Sequence, residues 1–404
     1  MKRGTWARLL PALLLVLAPF IEGCGNFWQA PGSSSSSGGG NSSTTLSSGV
    51  FYVLNQTTRQ IVAYSISSGS LTTIGTYSLT LSPVAIAIAP GNGFLYVSTV
   101  VGIYLYTIGT TGALTIGNNG SAISTDLAAA MVVDTSGKWL VDAVTGTSGV
   151  IVNAISITSS GTLNSTQEES QSFKLANASV QKIVISGDDA YVFLALGAGG
   201  TLIVPFNSAN INPLSSTAST IATVTSGASA LSVAVDPGSA STPPRLFYIG
   251  ETETSSSSGG LRAFEYSSLG GTSVTELSGS PYSAGGLAPT AILPELAGDY
   301  VYVASGQGTT SHGVLQGFNI ATSTTGSTTT YTLSSISTVS TGIEPAGLAE
   351  DSLSNFVLAV SSGGSYDLEA YIFDTTTNGK LDTSITSTTG TDPTGAVAVA
   401  AQAP

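Results

Sequence analysis

The chain has 404 residues, of which 42% are hydrophobic and only 8% charged, with a formal net charge of −13. Ten Lys and Arg against 23 Asp and Glu leave no basic stripe, so nucleic acid and anionic headgroups are poor partners. One cysteine rules out an intrachain disulfide, and with a single histidine there is no zinc-ligand spacing. In chain order, residues 1–23 read as an export signal. Lys2, Arg3 and Arg8 are positive, and Leu9 to Phe20 is apolar but interrupted by Pro11 and Pro19. That run is too short to span ~30 Å of hydrocarbon comfortably.

Ile21-Glu22-Gly23-Cys24 resembles the lipobox of bacterial lipoproteins, with Glu22 in place of the usual small or apolar residue. The resemblance implies a diacylglyceryl group on the Cys24 thiol and cleavage before it. It accounts for a lone thiol in an exported chain, and it predicts a protein lipid-anchored at the cell envelope, on the periplasmic side or the cell surface. Residues 24–49 include PGSSSSSGGGNSSTTLSSG, which has no charge and almost no apolar surface to bury. This segment is expected to be a disordered tether with an r.m.s. reach of about 25 Å for roughly twenty residues.

Residues 50–404 repeat. A strand-like motif recurs as Phe51-Tyr52-Val53, Leu95-Tyr96-Val97, Trp139-Leu140-Val141, Tyr191-Val192-Phe193, Phe247-Tyr248-Ile249, Tyr300-Val301-Tyr302 and Phe356-Val357-Leu358. All but the first follow a segment rich in small and apolar residues, such as VAIAIA, AAAMVV or VQKIVI, and each is followed by a third strand and a turn. Period-two alternation punctuated by Gly, Asn, Asp and Ser marks half-buried strands. Three or four strands per ~50 residues, seven times over, predict an all-β, seven-bladed β-propeller. Small residues such as Ala85, Ala87, Ala129, Ala234, Ala346 and Ala398 suit the crowded innermost strands. The first unit lacks an inner strand, and Thr394 to Ala401 (TGAVAVAA) is an inner strand without a unit. Pairing of these N- and C-terminal strands is expected to close the ring and remove the open edge.

These Tyr-Val strands, with segments such as Tyr64-Ser65-Ile66 and Gly69-Ser70-Leu71 after them, resemble the lactonase-like seven-bladed YVTN-repeat family from about Gly49 to the C-terminus. The family implies hydrolysis of a sugar lactone by His, Glu and Arg at one end of the ring. This chain has His312 alone and, beyond the leader, Arg59, Arg245 and Arg262, so none of the catalytic set carries over.

The candidate site is the axial funnel. The residues at or just before the start of the inner strands include Asp126, Asn177, Glu344 and Asp392, and the same face is expected to carry Arg59, Glu251, Glu253, His312, Tyr366 and Asp367. Asp126, Glu344 and Asp392 around one axis could hold a cation such as calcium through oxygen ligands. Asp134, Asp188, Asp236, Asp299 and Asp351 read as turn formers. The first functional reading is a non-enzymatic, membrane-anchored binding or scaffold lipoprotein with a protein or glycan ligand. The alternative is a lactone hydrolase of the 6-phosphogluconolactonase kind with its site in the funnel.

Overall fold

Apolar–polar alternation buries one face of a strand, and Gly, Asn and Asp turn the chain back at its ends. The computed structural model describes residues 49–67, 69–238, 245–252, 260–266, 274–325, 328–387 and 394–403; the expected export signal and tether up to residue 48, Cys24 among them, and Glu253 and Asp392 lie outside them. Within them the chain is all-β apart from one short 3-10 turn, Asn118–Gly120.

Five sheets have four strands each. The first orders Ala396–Ala401, Gly49–Asn55, Gln60–Ser67 and Ser70–Ser78. The second orders Pro83–Ile88, Phe94–Thr99, Gly102–Ile108 and Leu114–Ile116, and the third Ala130–Val133, Trp139–Gly146, Gly149–Ile157 and Leu163–Phe173. The fourth has Lys182–Ile185, Tyr191–Ala195, Thr201–Pro205 and Ser219–Ile221, and the fifth Ala230–Val235, Leu246–Glu251, Gly260–Tyr266 and Val274–Glu276. A seven-stranded sheet follows: Ala288–Pro294, Tyr300–Gly306, His312–Thr325, Thr328–Glu350, Phe356–Gly363, Leu368–Phe373 and Leu381–Ser387. Its long strand Thr328–Glu350 pairs with His312–Thr325 through its N-terminal part and with Phe356–Gly363 through its C-terminal part. Two four-stranded units therefore share that strand.

All pairings are antiparallel, and the C-terminal strand joins the first one, with Tyr52 opposite Ala400 and Val53 opposite Val399. The first strands of successive sheets stand side by side, and Ala396–Ala401 neighbours both Thr328–Glu350 and Pro83–Ile88. This is a β-propeller arrangement. Because strand direction alternates, the crossovers between sheets and the hairpins between second and third strands share one end, here called the upper face.

The hydrophobic clusters lie between sheets. Tyr52, Leu54 and Ile61 of the first sheet meet Leu95, Val97 and Tyr106 of the second. Phe51 and Val53 meet Phe356, Leu358 and Leu368 from the far end of the chain. Each such side chain, fully buried, contributes about 1.5–3 kcal/mol. The recurring tyrosines have a second task. Tyr52, Tyr96 and Tyr302 donate their hydroxyls to the carbonyls of Gly112, Gly161 and Gly379 in the outer hairpin of the next unit. In the third sheet the indole N–H of Trp139 reaches Ser208 in the same way.

The lower turns follow the expected chemistry at two places: Asp134 accepts from the Trp139 amide at 2.6 Å, and Asp351 from the Phe356 amide at 2.6 Å. In the fourth sheet Ser186 takes that role toward Tyr191, although Asp188 still accepts from the Ala190 amide at 3.3 Å. Glu295 receives the Asp299 amide at 3.3 Å, and Asp236 accepts the Tyr248 hydroxyl.

Candidate functional site

The residues singled out from the sequence stand mostly in local turns of the upper face. Asp126 is half-buried, and its carboxylate accepts from the Ser124 hydroxyl at 2.6 Å. Asn177, Glu344 and Arg59 are exposed and adopt left-handed backbone, with φ of 58°, 54° and 54°. Glu344 accepts from Ser362 Oγ at 3.2 Å, and the Arg59 carbonyl receives the Leu79 amide at 2.7 Å. Among the described residues no group of three His, Cys, Asp or Glu is placed to hold a metal ion; Asp392, the third member of the expected calcium site, lies outside them.

His312 is exposed, with Nδ1 2.9 Å from the Thr341 carbonyl. A carbonyl only accepts, so this contact puts the proton on Nδ1. The next residue of that crossover, Gly342, donates its amide to Glu369 Oε2 at 2.8 Å. Burial raises the pKa of Glu369, and His312 is close enough to oppose that rise. The structure thus gives His312 a carboxylate neighbour that the sequence reading did not select.

Glu251 has a structural task. Arg262 Nη1 meets Glu251 Oε1 at 2.7 Å and Nη2 meets Glu276 Oε2 at 2.7 Å, while Glu251 Oε2 accepts the Val224 amide. The guanidinium also donates to the Ala222 carbonyl. These bonds clamp the crossover into the fifth sheet. Asp367 is likewise buried, accepting from Asn55 Nδ2 at 3.2 Å where the last unit meets the first.

Asp142 is fully buried, with Oδ1 held by Asn153 at 3.0 Å and Oδ2 without a hydrogen-bond partner. Burial, assisted by the nearby Asp126 charge, pushes its pKa up to about 8.

At the axis, a cavity of about 290 Å³ is walled by Pro83–Ile88, Ala130–Val133, Lys182–Ile185 and the C-terminal strand. Lining residues follow one another along a strand, as in Val84-Ala85-Ile86-Ala87-Ile88. This fits first strands that are hydrogen-bonded on one side only, with the free edge toward the axis. Of the residues lining the cavity, Lys182 alone is charged. It opens its strand and so stands at the upper end of the cavity. Its side chain is reachable from the cavity, yet the surrounding walls desolvate the ammonium and lower its pKa. In the sequence Lys182 is the one charge in VQKIVI, inside the inner strand and not before its start, where the other candidates lie.

The upper face also carries exposed apolar side chains: Val100, Val101, Leu127, Val224, Leu287 and Tyr366 all lie in its crossovers and hairpins.

No protein-family model and no curated protein matches this chain. Solved structures do. A protein from Bacteroides fragilis NCTC 9343 described as a putative 6-phosphogluconolactonase superposes with a TM-score of 0.65 at 16% identity, covering 89% of this chain and 99% of its own. One from Bacteroides uniformis ATCC 8492 with the same description gives 0.65 at 15%, covering 88% and 99%. A periplasmic gluconolactonase of Pseudomonas aeruginosa gives 0.60 at 16%, also covering 88% and 99%. At these identities the likeness is one of fold: the chain has a lactonase-like β-propeller fold.

Proposed function

We propose that this protein is an extracytoplasmic hydrolase of small lactones, working in the axial funnel of a closed seven-bladed ring. This reverses the order of the two readings made from the sequence. The observation that carries it is the cavity on the axis, lined by strand edges with a single cation. Small-molecule sites favour such concave places with a few convergent polar groups. Solved proteins of like fold described as gluconolactonases support the choice of chemistry, and the periplasmic one supports an extracytoplasmic address.

The seven-blade count is supported by the seven Tyr-Val units and by the shared strand Thr328–Glu350. Closure is supported by the pairing of Ala396–Ala401 with Gly49–Asn55. His312 beside Glu369 supplies a candidate base on the upper face, able to draw a proton from water as it adds to a lactone carbonyl.

The test is a screen of the full-length protein against sugar and aliphatic lactones, following acid release. Accelerated opening of at least one lactone is expected, and no acceleration across the panel removes the reading. The address rests on Cys24 as the lipid attachment point. Cys24→Ser is expected to move the protein from the membrane to the soluble fraction; a variant that stays membrane-bound after washing would dispose of the anchor.

A further inference from the structure

Lys182 is the one charged residue that lines the axial cavity. The chain has more than twice as many acidic as basic residues, yet the ammonium of this lysine makes no hydrogen bond or ion pair with any described residue. By contrast Arg262 pairs with Glu251 and Glu276, Lys380 with Asp374 at 2.7 Å, and Lys138 with the Ser208 carbonyl at 3.1 Å. An ammonium brought out of bulk water without a counter-charge is costly, and three N–H donors remain free to bind.

The other polar side chains of the cavity are occupied. Gln181 turns its amide onto Ser179, with Nε2 at 3.2 Å from both the carbonyl and the hydroxyl oxygen. Thr290 donates its hydroxyl to the Pro345 carbonyl of the neighbouring strand. What the cavity offers a ligand is therefore one positive charge and the free backbone edges of the first strands, whose N–H and C=O groups suit hydroxyls.

We propose that the axial cavity is a binding site for a small organic monocarboxylate, with the Lys182 ammonium as its charge partner. A single cation matches one negative charge. A phosphate dianion carries two charges, which one ammonium only half neutralises, and the cavity offers no second cation and no guanidinium fork or helix N-terminus. The volume limits the ligand to a few carbon atoms with their hydroxyls. The site does not depend on lactone hydrolysis, and its test is binding alone.

The experiment is calorimetry on the full-length protein with acetate and gluconate, against neutral glucitol and inorganic phosphate. At least one carboxylate is expected to bind, with glucitol and phosphate silent. Lys182→Met should weaken that binding by at least about tenfold, and Lys182→Arg should retain most of it. Because Lys182→Met removes an unpaired charge, it is expected to melt no lower than the parent, which separates lost binding from lost fold. Carboxylate should raise the melting temperature of the parent and leave that of Lys182→Met unmoved. Equal binding by parent and Lys182→Met, or no carboxylate binding by a folded parent, overturns the proposal.

Discussion

The Tyr96 hydroxyl donates to the Gly161 carbonyl at 2.9 Å and so ties the second strand of one sheet to the outer hairpin of the next. Gly161 has a φ of 81°, and a Cβ there would lie 2.5 Å from the Phe94 ring. The bond and the close approach recur with Tyr302, Gly379 and Tyr300. Tyr96→Phe should cost about 1–3 kcal/mol, because it leaves a buried carbonyl without its donor. Gly161→Ala should cost more than about 1 kcal/mol, since the new methyl meets both strain and the ring. Denaturant melts measure both, and a neutral Gly161→Ala would remove this account of the Tyr-Val repeat.

Arg262 uses Nε, Nη1 and Nη2 together, toward Glu276, the Ala222 carbonyl and Glu251. Arg262→Ala strands the buried Glu251 carboxylate and should cost about 3–5 kcal/mol. Lysine cannot reproduce the fork, so Arg262→Lys should recover less than half of the loss. Full rescue by lysine, read from denaturant midpoints, would mean that charge alone holds the crossover.

Among the carboxylic acids whose pKa burial raises, three are pushed furthest: Asp142 to about 8, Asp236 to about 7 and Glu350 to about 7. A carboxyl whose folded pKa lies above its unfolded one binds more protons in the folded state. Its stabilisation is complete below the unfolded pKa and is lost as pH rises through the folded value. Stability should therefore fall between about pH 4 and pH 8. Asp142→Asn keeps the bond from Asn153 and removes the buried charge, so it should melt higher than the parent at pH 8 and shallow the slope. Thermal melts across that range check it; a parent that gains stability toward pH 8 would contradict the assignment.

Deleting residues 396–404 removes the strand that pairs with Gly49–Asn55 and exposes a row of unpaired backbone groups. The truncated protein should aggregate or lose its cooperative transition. A truncation that melts like the parent would show that this pairing does not hold the ring.

The architecture was legible because it is repeated. A Tyr-Val pair places one side chain in each of two adjacent interfaces, and the poverty of bulk at Ala85, Ala129 and Ala398 reports a crowded axis. The unit at Trp139 broke the pattern in letters only, since its indole reaches the next hairpin as a tyrosine hydroxyl would. The fourth strands were faint because they are exposed and polar, as in Leu163–Phe173. The site was much less legible. Asp126 and Glu344 are bound by nearby serines, and alignment of strand starts cannot tell a turn former from a ligand group. Nor could sequence show that Glu251 is taken up by Arg262, or that Glu369 and His312 flank one crossover. Lys182 carried a readable signal, a charge inside an apolar inner strand, yet its meaning depends on the absence of a described partner, which only the folded chain displays.

The account places function in the axial cavity, and blocking the axis tests this most directly. Ala346 lines the cavity on Thr328–Glu350, the strand beside the C-terminal one; Ala346→Phe fills the space while leaving His312 and the outer loops in place. Acid release from the best lactone substrate is to be measured for parent and variant, with melting curves beside it. The account predicts that the variant keeps its melting transition and loses at least about tenfold in rate. A folded variant that opens lactones as fast as the parent would place the chemistry elsewhere.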